Sequence, residues 1–359
     1  MMALASARLS TSKLFISSLL ALSVSPVMAE TSQEGPFSYE LYLSLRMQAE
    51  SVQPDNTAAL NDYRGLRDAF SRVGVNAQYA FDKDTALFAQ LEIPFDSANI
   101  RFRDSYDQGG SGRDDRESLR VARLGLSSRM GTLVAGQQWM PYYNAILFPV
   151  DQFSTFYSGF ASYTTFRVKE TIAYQSPILN GFSFGGSYSS AAGNARSSSR
   201  IDDRRIQTVA SYQLDNTRLS IGMDDRGNAR GFEDKIYGAT LSHNQGPWNL
   251  ALKYEVTDTD NPNSFFGDDA EAFNIFASYR HGDNLYKVMA ANIESYGEAV
   301  MHVGIDHQFN NELTLFAEFY QEQETAALTC KKCGLDGFNA AASGGKVIAV
   351  GFRYTLSSY

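Results

Sequence analysis

The sequence predicts an all-β protein, a transmembrane antiparallel β-barrel of sixteen strands. Three observations lead to this fold class: an export signal at the N-terminus, short segments in which apolar and polar residues alternate, and connections that alternate between tight turns and long polar loops. After the N-terminal segment, no stretch approaches the roughly 18 apolar residues that a membrane helix needs.

The N-terminal segment has the order of features of a secretory signal peptide. Arg8 and Lys13 form a basic region, residues 14–24 are apolar, and Val27-Met28-Ala29 fits a cleavage site. We therefore divide the chain into a signal peptide, residues 1–29, and one barrel domain, residues 30–359. Removing two basic residues and no acid changes the formal net charge from −9 to −11. An acidic chain without a basic stripe argues against nucleic-acid binding.

Alternation with a period of two predicts the strands. Residues 248–256, for example, place Trp248, Leu250 and Leu252 on one face and Lys253 and Glu255 on the other. A soluble sandwich turns the apolar face inward and a membrane barrel turns it towards lipid, so alternation alone does not separate them. We predict strands near residues 38–50, 68–80, 86–96, 118–128, 132–141, 166–175, 182–190, 205–214, 217–224, 234–243, 248–257, 271–280, 285–293, 299–309, 313–321 and 346–356.

The connections favour the barrel. Tight turns rich in Gly, Asn and Asp occur at 82–84, 129–131, 215–216, 244–247, 281–284 and 310–312, whereas long polar segments such as 97–117 and 322–345 lie between them. Short periplasmic turns and long extracellular loops are the outer-membrane layout. An even strand number puts both ends of the barrel on the periplasmic side, and sixteen strands enclose an aqueous lumen.

Several segments, in this order, resemble the Gram-negative general-diffusion porins. Ser71-Arg-Val-Gly-Val75 is similar to their second strand, and residues 119–126, 131–136 and 138–144 are similar to the fourth and fifth strands and the entry to the third loop. Residues 167–177 and 180–185 resemble the next strand pair. The last strand, Val350-Gly-Phe-Arg-Tyr-Thr-Leu356, resembles the aromatic closing strand that the outer-membrane assembly machinery is thought to recognise, with Tyr359 as the terminal aromatic.

The resemblance implies that the third loop folds into the lumen and narrows the pore with carboxylates that face arginines on the wall. The acidic part of that loop corresponds to residues 148–153, and we carry the acidic role to Asp151. Arg72 and Arg120 match two basic wall positions, and Gln175 occupies a third. Opposed charged walls create a transverse field that orients polar solutes.

Alternation adds further candidates for the constriction. Arg46 lies on the polar face of the first strand, and Arg167 and Lys169 have the same parity as Gln175. The alternative for every one of these residues is an ordinary solvated charge, since any barrel lumen is polar. The predicted constriction residues are Arg46, Arg72, Arg120, Asp151, Arg167 and Lys169.

Alternation from Arg120 predicts that Arg123 faces outward, where a charge at the bilayer centre costs about 2–4 kcal/mol. Burial between subunits would remove this cost, so Arg123 supports the homotrimer that the resemblance implies. The alternative is that Arg123 lies near a strand end and reaches the lipid headgroups.

Cys330-Lys-Lys-Cys333 lies in the last long loop, and in an oxidising compartment the two cysteines are expected to form a disulfide. The segment has no further nearby ligands for a metal site, so we expect no metal and no cofactor. None of His243, His281, His302 and His307 lies in a recognised catalytic motif, and we expect no enzymatic activity.

The sequence thus predicts a passive diffusion channel for small hydrophilic solutes and ions in the Gram-negative outer membrane, in contact with lipid and lipopolysaccharide. The acidic balance predicts a mild cation preference. Two alternatives stay open: a channel of the same fold that is selective for one nutrient, and a non-conducting structural or adhesive surface barrel.

Overall fold

A computed structural model describes residues 35–58, 61–102, 119–159, 162–195, 201–229, 231–262, 264, 266–294, 298–324 and 343–358. The predicted signal peptide, Cys330, Cys333 and Tyr359 lie outside these residues. The described strands form one antiparallel sheet that closes on itself, because the last strand pairs with the first.

The strands are numbered in chain order: β1 (Phe37–Pro54), β2 (Tyr63–Asp68), β3 (Arg72–Ala80), β4 (Ala86–Pro94), β5 (Val121–Ser128), β6 (Gly131–Trp139), β7 (Arg167–Gln175), β8 (Phe182–Ser189), β9 (Arg205–Leu214), β10 (Thr217–Ala229), β11 (Phe232–Gln245), β12 (Trp248–Thr259), β13 (Glu271–His281), β14 (Asn284–Ile293), β15 (Glu298–Gln308), β16 (Leu313–Glu324) and β17 (Ser343–Ser357). Among the described residues, two short helices occur in connections, a π-helix at Tyr143–Leu147 and α1 at Ala191–Ala195. No helix in the described ranges has the length and apolar character needed to cross a bilayer.

The sixteen predicted strands are all present, and the seventeenth arises from a break in the second one. β2 and β3 pair with consecutive parts of β1, through Met47↔Asp68 and Ser44↔Arg72. Between them, Phe70 has a φ of 71°, a conformation that costs a bulky residue energy. The carboxylate of Asp68 accepts the backbone N–H groups of Phe70 at 2.8 Å and Ser71 at 3.1 Å, which replaces ladder bonds lost at the break. The wall is therefore the predicted sixteen-stranded barrel.

The two faces of each strand are sorted as the alternation predicts. On β12, Trp248, Leu250 and Leu252 are exposed on the outer face, while Lys253 and Glu255 are buried on the inner face. On β17, Ile348, Val350 and Leu356 are likewise exposed on the outer face. The apolar band thus faces outward, as a barrel in lipid requires.

The connections at one end are short and include the six predicted turns. They occupy residues 81–85, 129–130, 176–181, 215–216, 246–247, 282–283 and 309–312. β1 begins and β17 ends at this end, next to the turn after β3. The opposite end carries the longer connections, together with two short ones: residues 230–231 between β10 and β11, and residues 294–297 between β14 and β15.

The third long connection, residues 140–166, folds into the barrel, and we call it the inward loop. Met140, Tyr142, Ile146, Leu147 and Val150 on it are fully buried. They form one apolar cluster with inner-wall residues of β9, β11 and β13. The lumen therefore contains an apolar core on the side where the loop packs, which sequence alternation alone does not indicate.

Candidate pore constriction

Arg72 and Arg120 meet on the inner wall at one carboxylate. The guanidinium Nε atoms of Arg72 and Arg120 lie 3.3 and 2.9 Å from the two carboxylate oxygens of Glu92 on β4. Tyr42 on β1 donates its hydroxyl to Glu92 at 2.9 Å. Register explains the cluster, because Arg72 on β3 lies opposite Pro94 and the N–H of Arg120 donates to the carbonyl of Glu92.

Arg46 and Arg353 extend this cluster. They are direct register partners on β1 and β17, so two like charges face each other across the closing seam of the barrel. Arg46 donates to Ser44 Oγ at 2.9 Å and interacts electrostatically with Arg72, Arg120 and Arg353. We call Arg46, Arg72, Arg120 and Arg353, with Glu92, the basic wall.

Neither Arg353 nor Glu92 is among the predicted constriction residues. Arg353 alternates with the apolar residues Phe352 and Tyr354 of the last strand, and this pattern predicts an inward side chain. Glu92 alternates with Leu91 in the same way. Alternation predicts that these side chains point inward, but it does not predict that they meet the arginines of β1 and β3.

The prediction that Arg123 faces outward is wrong. Leu124 and Leu126 are exposed on the outer face of β5, which places Arg123 on the inner face. Its guanidinium lies 5.8 Å from the ring centroid of Phe88, and its register partner is Gln90. Arg120 precedes the first residue of β5, so alternation counted from it does not hold within the strand. Arg123 therefore gives no support to an oligomer.

Alternation from Gln175 does not extend to Arg167 and Lys169. On β6 and β7 the pairs Gly136↔Thr171 and Gln138↔Val168 show one extra residue on β7, a bulge that interrupts alternation from Gln175. Arg167 is 6 % exposed and still approaches the basic wall. Its guanidinium lies 4.8 Å from the ring centroid of Trp139, and that of Arg120 lies 5.9 Å from the same ring. The backbone carbonyl of Lys169 lies beside Gly193 of α1.

Asp151 lies on the inward loop, as the resemblance implies, but its described contacts are not with the basic wall. Tyr143 donates its hydroxyl to the Asp151 carboxylate at 2.8 Å. Burial raises the pKa of Asp151 to about 6, the nearby charge of Glu318 adds to the increase, and hydrogen bonds from Tyr143 and Gly159 oppose it. The carboxyl group is therefore partly protonated in mildly acidic solution.

A buried carboxylate on β16 holds the tip of the loop. Glu318 accepts the backbone N–H groups of Ser154 at 2.7 Å and Thr155 at 3.1 Å. It also accepts hydrogen bonds from Lys287 of β14 and His302 of β15, each at 3.0 Å. Such a carboxylate is stable in the interior because donors surround it. Local sequence pattern does not indicate this anchor, since its partners are far apart in the chain.

Apolar and further polar contacts complete the attachment of the tip. The ring of Phe153 stacks on the imidazole of His302, with a centroid distance of 3.6 Å. The N–H of Phe156 donates to Gln48 at 2.8 Å, and the hydroxyl of Tyr157 donates to Glu50 at 2.9 Å. These contacts place the tip beside β1, where the basic wall begins.

The returning part of the loop is bonded to other strands of the same side. Ser162 donates to Glu255 of β12 at 2.9 Å, and Thr164 donates to Asp224 of β10 at 2.8 Å. The polar anchors of the inward loop therefore include residues of β10, β12, β14 to β16 and the upper part of β1, and further anchors lie on β9 and β11. Within the described part of the chain, no group of three or more His, Cys, Asp or Glu residues is arranged to hold a metal ion.

Comparisons with known proteins agree with this architecture. The model of the Gram-negative porin family matches residues 17–327. The anion-selective porin from Comamonas acidovorans is similar in structure, with a TM-score of 0.65, 19 % identity, and coverage of 89 % of this chain and 100 % of that chain. OmpF from Salmonella typhi, in complex with daunomycin, has a TM-score of 0.65, 12 % identity, and coverage of 89 % and 97 %. The trimer form of OmpT from Vibrio cholerae has a TM-score of 0.60, 14 % identity, and coverage of 90 % and 100 %. A search of curated proteins finds no match.

Proposed function

The chain belongs to the Gram-negative porin family, whose barrel forms an outer-membrane channel for diffusion, and we propose that it passes small hydrophilic solutes and ions passively through a water-filled lumen. The observation that carries this proposal is the one-sided attachment of the inward loop. Its polar anchors lie on strands from β9 round to the upper part of β1. Arg72 on β3 and Arg120, just before β5, lie beyond this arc and supply the charged lining that an aqueous passage needs.

The two sides of the passage differ in charge. The basic wall carries four guanidinium groups and the single carboxylate of Glu92. The loop side carries Asp151 and apolar side chains, including Phe153. A charge difference across a narrow mouth with low-dielectric walls produces a field that orients dipolar solutes. Apolar solutes lose their hydration there without compensation, which favours hydrophilic ones.

We propose that the constriction favours anions over cations. The net charge of the chain predicts the opposite, but that count includes the loops, whereas ion preference depends on the charges that line the narrowest part. There the arginines outnumber Glu92, and Asp151 is partly neutral near pH 6. The structurally similar Comamonas protein is described as anion-selective, which agrees with this assignment without establishing it.

A planar-bilayer recording tests both parts of the proposal. We expect stable conductance steps that do not saturate with added sugars or amino acids, and a reversal potential in a KCl gradient that indicates chloride preference. Saturation by one solute class would instead favour the nutrient-selective channel. A pure, folded protein that produces no conductance would favour the structural or adhesive barrel. A reversal potential of the opposite sign would refute the anion preference and support the mild cation preference that the net charge of the chain predicts.

We propose a homotrimer in the outer membrane, surrounded by lipid and lipopolysaccharide. The similar OmpT structure in trimer form supports this state, and exposed apolar side chains such as Leu41, Leu91 and Leu124 on β1, β4 and β5 offer a surface for it. Native mass spectrometry in mild detergent measures the state directly. A predominantly monomeric spectrum, from protein that conducts in bilayers, would contradict the trimer.

A further inference from the structure

Two glycines face each other on the inner wall beneath the inward loop. Gly222 of β10 and Gly238 of β11 are register partners. Their neighbours Ile221 and Tyr237 are exposed on the outer face, so both glycines lie on the inner face. Neither glycine has a positive φ, so the backbone does not require glycine at either position. Because glycine weakens a strand by about 0.5–1 kcal/mol relative to alanine, its presence in both strands calls for another explanation.

The inward loop occupies the space that side chains would fill. A Cβ atom on Gly238 would lie 2.2 Å from Tyr142 Oη and 2.9 Å from Ile146 Cγ2, and one on Gly222 would lie 3.1 Å from Tyr142 Cδ2. Tyr142 and Ile146 are fully buried and four residues apart, so they lie on the same side of the helical segment. We call Gly222 and Gly238 the glycine notch.

Hydrogen bonds on both sides fix the loop over the notch. The N–H of Tyr142 donates to the side chain of Gln207 on β9 at 3.0 Å. On the other side, the hydroxyl of Thr240 on β11 donates to the carbonyl of Ile146 at 2.6 Å. These bonds set the lateral position of the segment, and the absence of two Cβ atoms lets it sit deep against the wall.

We propose that Gly222 and Gly238 are positioning residues that set how far the inward loop projects into the lumen and therefore the open cross-section of the channel. Other inner-face glycines, such as Gly74 and Gly125, make room for Tyr42 and Phe88 of adjacent strands. The glycine notch instead receives side chains of the loop. The inference rests on the proposed channel function for its effect on flux, but the seating of the loop is testable without it.

Gly238→Ala tests the notch by conductance. A Cβ atom on residue 238 would lie 2.2 Å from Tyr142 Oη, whereas ordinary contact needs 3.4 Å. Because Tyr142 is fully buried, we expect the segment that carries it to move towards the lumen by about 1 Å. We expect single-channel conductance to fall roughly twofold, because flux through a narrow filter depends steeply on its width. Gly186→Ala in β8 is the control for the added methyl group, since Gly186 lies on the outer face with Phe184 and Tyr188 and a Cβ atom there meets only the carbonyl of Gln207 at 3.4 Å.

A compensating change separates displacement of the loop from general damage. Tyr142→Leu shortens the side chain that collides with the new methyl group, so the double variant with Gly238→Ala should conduct like Tyr142→Leu alone. Conductance of Gly238→Ala equal to that of the wild type would overturn the proposal. A loss that persists unchanged in the double variant would overturn it as well.

The rate of thiol labelling measures how closely the loop covers the wall, and it does not depend on conductance. Thr240→Cys, in a chain whose Cys330 and Cys333 are replaced by serine, places a thiol under Ile146. We expect a lumen-soluble maleimide to label this thiol roughly tenfold faster when Gly238→Ala is added than when Gly186→Ala is added. Equal labelling rates would refute the notch. A wild-type protein that does not conduct would refute the proposed function. The labelling comparison would still show whether the glycine notch positions the inward loop.

Discussion

Replacing Glu318 with glutamine tests how the tip of the inward loop is held. The wild-type carboxylate accepts four hydrogen bonds, two of them from the backbone of Ser154 and Thr155. Removing one partner of a buried ion pair costs about 3–5 kcal/mol. Lys287 keeps its ion pair with Asp306 at 2.8 Å, so we expect a cost of about 3 kcal/mol. Because the strands retain their ladder bonds, this cost falls on the attachment of the loop and raises the detached population by about 100-fold.

Single-channel recording at constant voltage measures the detached population as brief closures or changes in conductance level. Glu318→Gln should close far more often than the wild type, while the heat-induced unfolding of the barrel on a denaturing gel stays unchanged. Glu92→Gln is the matched control, because it also removes a buried carboxylate but has described partners only on the wall. Closure frequencies of Glu318→Gln within a factor of about two of the wild type would refute the reasoning.

Two further predictions concern selectivity. Since the pKa of Asp151 is raised to about 6, its negative charge appears as the pH rises from about 5 to about 7.5. The preference of the channel for anions should therefore fall across this interval. Asp151→Asn should abolish this pH dependence, and an equally steep dependence in the variant would contradict the assignment. Glu92→Gln removes the carboxylate that Arg72 and Arg120 share. The reversal potential of this variant in a KCl gradient should therefore lie closer to the equilibrium potential of chloride than that of the wild type. A shift towards the equilibrium potential of potassium would exclude the basic wall from the constriction.

The predictable part of the candidate site followed from local pattern. Arg72 was placed correctly on the inner face because it is the first residue of β3, and alternation holds from it along the strand. Arg123 was misplaced because the count began at Arg120, outside the strand. Arg167 and Lys169 were assigned by parity across a bulge that has no clear sequence signature. Errors therefore arose where the strand geometry was irregular, not where the residue types were ambiguous.

The anchors of the inward loop could not be predicted in this way. Glu318 is separated from Ser154 by 164 positions, and their contact depends on the path of the loop across the lumen. Similarly, Arg46 and Arg353 meet only because the first and last strands close the barrel in one particular register. Nothing in either local segment specifies the other.

The sequence by itself determined the strands, their order and the side of the wall that each regular residue faces, because these depend on a period of two and on turn residues, which are local properties. The tertiary structure alone decided which inward side chains meet: the basic wall around Glu92, the anchor at Glu318 and the glycine notch beneath Tyr142. These contacts depend on barrel register and on the depth of the inward loop, and both are set by packing between residues that are distant in the chain.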